Sequence, residues 1–188
     1  MKKVFIVHGL GSGPNGGWRP WLMAELQKQH VYACALAMPN PSEPICAEWV
    51  AELGRHVEKN TSDEIFLVGH SLGVSTILRY LESAPETVHI SGAVLVSGRC
   101  AHHPNKKLAD FFEPPFDFAT IASRCRSFTI IHGDDDQLVP FENAEILSKA
   151  LRADLVVIPK GGHLNGGSGW RTLPACLESL VRMFANRA

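Results

Sequence analysis

The chain has 188 residues, of which 45% are hydrophobic and 20% charged, and its formal net charge is -1. This length predicts a single domain, residues 1–188, with room for a substantial core. The near-neutral charge gives no electrostatic reason to expect nucleic acid or an anionic membrane as a partner, so a small-molecule ligand is expected.

The first residues, MKKVFIV, carry positive charge, but the apolar run stops after four residues at the first histidine. A signal peptide needs an apolar run of about 7 to 15 residues, and no stretch approaches transmembrane length. The five cysteines are scattered and lack the C-x-x-C spacing of a zinc or redox site. We therefore expect reduced thiols in a cytoplasmic protein.

The predicted elements start with an apolar run that leads into a glycine-rich loop, VFIVHGLGSGPNGGW, whose glycines include the G-x-G-x-x-G spacing. A dinucleotide site would need an acidic residue about 20 positions further on, and none stands between Glu25 and Glu43. Pro14 also removes a backbone N–H from the turn. No cofactor is therefore expected. The loop is instead suited to present backbone N–H groups to an anion.

Apolar runs alternate with helical patterns along the chain. The runs predict strands at 4–7, 31–38, 65–68, 93–96, 128–131 and 155–158, and the patterns predict helices at 18–30, 42–59, 72–83, 142–151 and 173–184. This alternation predicts an α/β fold with a six-stranded, mainly parallel sheet and helices on both faces. The segment 99–125 breaks the rhythm and predicts an irregular connection or a small lid.

The pentapeptide GHSLG reads G-x-S-x-G and lies between the third strand and the following helix. A strand-to-helix turn this sharp needs glycine two residues either side of the serine and leaves its hydroxyl exposed above the sheet. This position predicts Ser71 as a nucleophile. The N–H of Leu72, at the start of the helix, points where an oxyanion would form.

A serine nucleophile needs a base and a carboxylate that orients the base, and both are found at later strand ends. His163 follows the last strand in a glycine-rich turn and is the predicted base. The motif DDDQLVP follows the fifth strand, and its spacing favours Asp136 as the acid. Asp135 is the alternative, and Asp134 is expected to cap the turn.

The other histidines have simpler interpretations. His8, His70 and His132 stand beside glycines at turns near strand ends and are expected to serve as hydrogen-bonding scaffold. The pair at 102 and 103 has no acidic or thiol partner at ligand spacing, so no metal is expected. The remaining three histidines, at 30, 56 and 89, are expected on the surface.

The motifs FIVHG, GHSLG, HGDDDQLVP and GGH, in this order, resemble the α/β-hydrolase superfamily. The stretches GGWRPWLMAEL, AMPNPSEP and GGHLNGGSGW are similar to the small serine hydrolases of the retinoblastoma-binding protein nine and bacterial YdeN-like family. The resemblance implies a compact α/β-hydrolase without a large cap. It also implies a triad of Ser71, Asp136 and His163, with oxyanion N–H groups from Leu10 and Leu72.

The expected activity is cleavage of a small carboxylic ester, thioester or amide through an acyl-enzyme; the alternative is a catalytically idle binding module. Leu72 stands where a smaller serine is common in this family, which narrows the expected acyl pocket. Four phenylalanines in the irregular segment, Phe111, Phe112, Phe116 and Phe118, could either meet an acyl chain or pack in the core. No L-x-C-x-E sequence is present, so the family name implies no protein partner.

Overall fold

A computed structural model describes residues 1–60 and 63–185. Its centre is a six-stranded sheet in the order β2-β1-β3-β4-β5-β6, in which every neighbouring pair is parallel. The strands are β1 (Lys2–Val7), β2 (Tyr32–Ala35), β3 (Glu64–His70), β4 (Gly92–Val96), β5 (Phe128–Gly133) and β6 (Asp154–Ile158). The predicted α/β class and parallel sheet are confirmed.

The apolar runs form strands because both faces of the sheet are covered. Every residue of β4 and β5 is buried, and in β3 only the first residue is exposed. The edge strands β2 and β6 are partly exposed along most of their length. This gradient is typical of a parallel sheet that is enclosed by helices.

In the part of the chain that the structure describes, six α-helices cover the sheet: α1 (Arg19–Lys28), α2 (Cys46–Glu58), α3 (Leu72–Ser83), α4 (Phe118–Arg124), α5 (Glu142–Leu151) and α6 (Pro174–Ala185). Buried side chains of α1 and α6, such as Leu22 and Leu180, share one core with one face of the sheet. Side chains of the other four helices, such as Trp49 and Leu147, share a second core on the opposite face. Helices thus lie on both faces, as predicted.

Three predicted elements were too long, and one of them is the first helix, which spans only Arg19–Lys28. The second strand ends at Ala35, and beyond it the N–H of Met38 donates to His8 Nε2 at 3.4 Å and not to a neighbouring strand. The second helix begins at Cys46, after Pro44, so Ile45 lies outside it and is 48% exposed. The N–H of Cys46 donates to the Asp110 carboxylate at 3.1 Å. This partner lies far along the chain, so the sequence pattern could not place the start of the helix.

The irregular segment 99–125 contains a short 3-10 helix (Lys106–Phe111) and α4, neither of which was predicted. Asp117 caps α4 by accepting from two backbone N–H groups at 3.1 Å. Arg79 of α3 donates to the carbonyls of Phe111 and Pro114 and lies 4.1 Å from the ring centre of Phe116. These contacts fix the segment against the body of the fold.

The strand order positions the site. From β1 the chain crosses to β2 on one side, and from β3 it crosses to β4 on the other, so the direction of winding reverses between β1 and β3. A crevice opens at the carboxyl ends of such neighbouring strands. The glycine-rich loop leaves β1 there and Ser71 follows β3. Within the described residues, no helix combines the length and the apolar character needed to cross a membrane.

Candidate active site

Ser71 lies in a strained turn between β3 and α3, with φ of 55° and ψ of -120°. A Cβ atom on Gly73 would lie 2.2 Å from the carbonyl oxygen of Val7, and one on Gly69 would lie 2.9 Å from the Cα of Val74. Only glycine fits at either position. The spacing G-x-S-x-G therefore reflects close backbone packing, which holds the serine in its unfavourable conformation.

Three side chains from three loops form one hydrogen-bonded chain. His163 Nε2 lies 2.9 Å from Ser71 Oγ, and His163 Nδ1 lies 2.8 Å from Asp136 Oδ2. A carboxylate accepts, so Nδ1 carries the proton, and Nε2 is left to accept from the serine hydroxyl. His163 is 7% exposed and Asp136 is 8% exposed, so the imidazole and the carboxylate are largely shielded from water.

The carboxylate of Asp136 is held in its ionised form. Burial raises its pKa, but the hydrogen bond from His163 and those from the backbone N–H groups of Val139 and Leu138 outweigh burial, so the pKa lies below its ordinary value. The two N–H groups donate to Oδ1 at 3.0 and 2.8 Å. One carboxylate oxygen is thus fixed by its own loop, and the other faces the imidazole.

The two preceding aspartates hold the loop that carries His163. Asp134 accepts from the N–H of Lys160 at 2.8 Å, and Asp135 accepts from the N–H of Gly162 at 2.7 Å. The structure thus brings Asp136, and not Asp135, to the imidazole. Asp134, expected to cap its own turn, instead binds across to the neighbouring loop.

Two tryptophans and a histidine hold the loop that carries His163 through hydrogen bonds to its backbone carbonyls. Trp18 Nε1 donates to the carbonyl of Leu164 at 2.8 Å, and Trp170 Nε1 donates to that of Gly161 at 2.9 Å. His70 Nε2 donates to the carbonyl of His163 at 3.0 Å. Both tryptophans also pack on the core, so the backbone on either side of His163 is held by side chains that are themselves fixed.

The other two predicted scaffold histidines also bind loop backbone. His8 Nδ1 donates to the carbonyl of Gly9 at 2.9 Å, and His132 Nε2 donates to that of Val139 at 2.9 Å. His132 thereby fixes the turn whose N–H groups bind Asp136. The prediction of hydrogen-bonding roles for His8, His70 and His132 is confirmed.

We expect acid to destabilise the fold through His70. Burial and the nearby His163 lower the pKa of His70 from 6.5 to about 3. Below pH 6.5 His70 becomes protonated in the unfolded chain, whereas in the folded chain it is protonated only near pH 3. The stability that neutral His70 contributes is therefore lost as the pH falls from 6.5 to about 3. Between pH 7 and 5 the loss is about 2 kcal/mol.

Urea denaturation at pH 7 and pH 5 measures this effect. His70→Gln keeps an amide donor without a titrating ring, and its free energy of unfolding should fall about 2 kcal/mol less than that of the wild type over this interval. His89→Gln, at an exposed position, is the control and should follow the wild type. Equal pH dependence of all three proteins would refute the assignment.

The glycine-rich loop lies directly against the serine. A Cβ on Gly9 would be 2.8 Å from the Cβ of Ser71, and the N–H of Gly11 donates to the carbonyl of Pro41 at 2.7 Å, which pins the loop. Within residues 1–60 and 63–185, the N–H groups of Leu10 and Leu72 have no hydrogen-bond acceptor. Both are therefore available to an oxygen atom placed beside Ser71.

A cavity of about 760 Å³ opens above Ser71 and His163. One part of its wall is apolar and includes Leu72, Leu108, Phe112, Leu138 and Val139. Of the four phenylalanines considered from sequence, Phe112 lines the cavity, whereas the other three pack on or in the core. Sequence reasoning also missed three arginines in the wall, Arg19, Arg99 and Arg171.

Comparisons with known proteins identify the family of the chain. The model of the serine hydrolase family matches residues 4–182 of the chain. The chain belongs to the serine hydrolase family. The chain is similar to the hydrolase YdeN of Bacillus subtilis (strain 168), with 32% identity over 98% of this chain and 97% of YdeN. It is also similar to the serine hydrolase RBBP9 of Rattus norvegicus, with 25% identity over 86% of each chain.

Solved structures show the same fold. The crystal structure of the B. subtilis ydeN gene product superposes on this serine hydrolase with a TM-score of 0.92, at 32% identity, over 99% of this chain and all of that one. A monoacylglycerol lipase from Paleococcus ferrophilus gives a TM-score of 0.71 at 18% identity, over 96% and 94% of the two chains. At that identity the second match bears on the fold alone. The predicted compact α/β-hydrolase fold is confirmed.

Proposed function

We propose that this serine hydrolase cleaves a small carboxylic ester, thioester or amide through an acyl-enzyme on Ser71. The observation that supports this is the hydrogen-bonded chain from Asp136 through His163 to Ser71, which ends at the wall of a cavity. The proposed roles are nucleophile for Ser71, general base and acid for His163, and orienting carboxylate for Asp136.

In the first half of the reaction, His163 Nε2 removes the proton of Ser71 Oγ as the oxygen attacks the substrate carbonyl carbon. The ionised Asp136 stabilises the imidazolium that forms and keeps its ring in place. The N–H groups of Leu10 and Leu72 donate to the oxyanion of the tetrahedral intermediate. The intermediate collapses, the bond to the alcohol, thiol or amine breaks, and the leaving group takes the proton from His163.

In the second half, water replaces the leaving group. His163 Nε2 takes a proton from the water as its oxygen attacks the acyl carbon, and the proton then passes to Ser71 Oγ as the carboxylic acid departs. The same oxyanion N–H groups serve both steps. A loop held by Asp134, Asp135, Trp18 and Trp170 keeps His163 in place, which both transfers require.

The cavity supports a small substrate. Its volume of about 760 Å³ lies within the range of ligand pockets, about 300 to 1,000 Å³. The apolar wall formed by Leu108, Phe112, Leu138 and Val139 suits an acyl or alkyl chain. Because Arg79 fixes the segment 99–125, we expect Leu108 and Phe112 to stay in place during turnover.

Pre-steady-state release of p-nitrophenol from p-nitrophenyl esters of two to eight carbons tests the proposal. We expect one ester to give a burst of about one equivalent per chain, with an acyl adduct in the acid-quenched protein, because acylation precedes hydrolysis. Release at the buffer rate with no acyl adduct, for every chain length, would contradict the proposal and favour an idle binding module. Transfer of the acyl group to added alcohol in preference to water would identify a transferase.

A further inference from the structure

The cavity above Ser71 has a charged side that the proposed reaction does not use. Arg19, Arg99 and Arg171 line it, and within the described parts of the chain no aspartate or glutamate does. We infer that the substrate is an anionic ester, whose carboxylate or similar anion binds Arg19 and Arg171 while its carbonyl group lies at Ser71. This inference rests on the proposed function and names the substrate class.

Arg19 is the strongest evidence because it is a buried cation. It is 3% exposed, and burial lowers its pKa to about 10. Its Nη2 donates to Ser12 Oγ at 2.7 Å and to the carbonyl of Gly13 at 2.8 Å, and its Nε donates to the same carbonyl at 3.1 Å. These acceptors are neutral, and in residues 1–60 and 63–185 it forms no salt bridge and its Nη1 has no acceptor.

A buried guanidinium without a counter-charge is costly, and an anion that binds it recovers part of that cost. The positive charge of Arg19 also contributes to lowering the pKa of both His8 and His70, after the larger effect of burial. These two neutral histidines therefore do not compensate it. The ligand that would complete this site is an anion.

Arg171 lies on the same side of the cavity. A Cβ on Gly16 would lie 2.4 Å from Nη2 of Arg19, and a Cβ on Gly166 would lie 2.9 Å from Nη1 of Arg171. The two glycine loops touch, because a Cβ on Gly17 would lie 3.2 Å from the backbone N of Gly166. The two guanidinium groups thus flank the line where the loop after β1 meets the loop that carries His163.

Arg99 differs from the other two. Its Nη2 donates to the carbonyl of Leu138 at 3.0 Å, and the charge of Asp136 acts on it and partly offsets the lowering of its pKa by burial. Arg99 therefore has a nearby counter-charge within the protein. Arg19 and Arg171 remain as the pair that can bind an anion with several donors at fixed angles, as guanidinium groups do with carboxylates and phosphates.

The test compares esters that differ only in charge. The monoanionic 4-nitrophenyl hydrogen adipate and its neutral methyl ester place the charge on the acyl side, and 4-acetoxybenzoate and its methyl ester place it on the leaving-group side. We expect kcat/KM to be at least about tenfold higher for the anion than for its neutral partner in one of the two pairs. The pair that responds identifies the side of the substrate that carries the anion.

Variants then link that preference to the arginines. Arg171→Gln, at an exposed position, should lower the anion-to-neutral ratio of kcat/KM by about three- to tenfold. Arg19→Gln should lower it by about tenfold or more, and Arg19→Lys should restore part of it because the charge returns. Arg55→Gln, on the exposed face of α2, should keep the wild-type ratio.

The outcomes separate this inference from the proposed function. Turnover of the neutral esters with no preference for either anion, and with ratios unchanged in the Arg19 and Arg171 variants, would overturn the inference and leave the serine hydrolase activity intact. Absence of turnover and of an acyl adduct with every ester would overturn both. If Arg19→Gln does not fold, the ratio for Arg171→Gln decides.

Discussion

Ser71→Ala is expected to lower kcat for a p-nitrophenyl ester by a factor of about 10⁴ to 10⁶, because the acyl-enzyme can no longer form. Asp136→Asn should cost about 10⁴, because an amide facing His163 Nδ1 stabilises the wrong tautomer and cannot balance the imidazolium. The residual rate would come from substrate binding and the oxyanion N–H groups. Steady-state kinetics on purified variants measure both losses.

Matched substitutions serve as controls. Ser123→Ala removes an exposed hydroxyl on α4, far from the cavity wall, and should leave kcat at the wild-type value. Asp135→Asn keeps an oxygen that can accept from the N–H of Gly162, so we expect a loss below about tenfold. A larger loss for Asp135→Asn than for Asp136→Asn would reverse the assignment of the acid. Wild-type activity in Ser71→Ala would refute the nucleophile.

Gly73→Ala is expected to lower the free energy of unfolding by about 3 kcal/mol. The new Cβ would lie 2.2 Å from the carbonyl oxygen of Val7 and 2.8 Å from that of His8, so the end of β1 and the start of α3 must move apart. For a chain of this size the midpoint of thermal unfolding should fall by about 6 to 12 °C. Because His8 leads into the oxyanion loop, kcat should fall as well.

Gly13→Ala is the matched control for this prediction. Its added Cβ would meet no atom within 4 Å, and Gly13 does not have a positive φ. Its stability should change by less than about 1 kcal/mol. Thermal denaturation of both variants beside the wild type decides the matter, and equal midpoints for Gly73→Ala and Gly13→Ala would show that the turn can relax without strain.

Much of the fold could be predicted because the information is local. The strands of the sheet core are short, continuous apolar runs, and α3 and α5 have the bounds that their patterns indicate. The G-x-S-x-G turn is also local, since the packing that demands glycine involves the strand and helix on either side. Chain order then placed Asp and His at the ends of later strands, where a parallel sheet brings them together.

The features that sequence reasoning missed depend on distant partners. The start of α2 is fixed by Asp110, and the role of each aspartate from 134 to 136 depends on which atom of the next loop it faces. Arg19 follows the sequence Gly-Gly-Trp and is the first residue of α1. Nothing in the neighbouring sequence indicates that its guanidinium group is buried at the cavity. Only the folded loops reveal these contacts.

Covalent labelling with a fluorophosphonate, followed by mass mapping of the modified peptide, tests the central claim most directly. The proposal predicts one adduct per chain on the peptide that contains Ser71, no adduct in Ser71→Ala, and much slower labelling in His163→Ala because the base is lost. Labelling that occurs on another residue, or that proceeds equally in the wild type and Ser71→Ala, would contradict a nucleophilic Ser71.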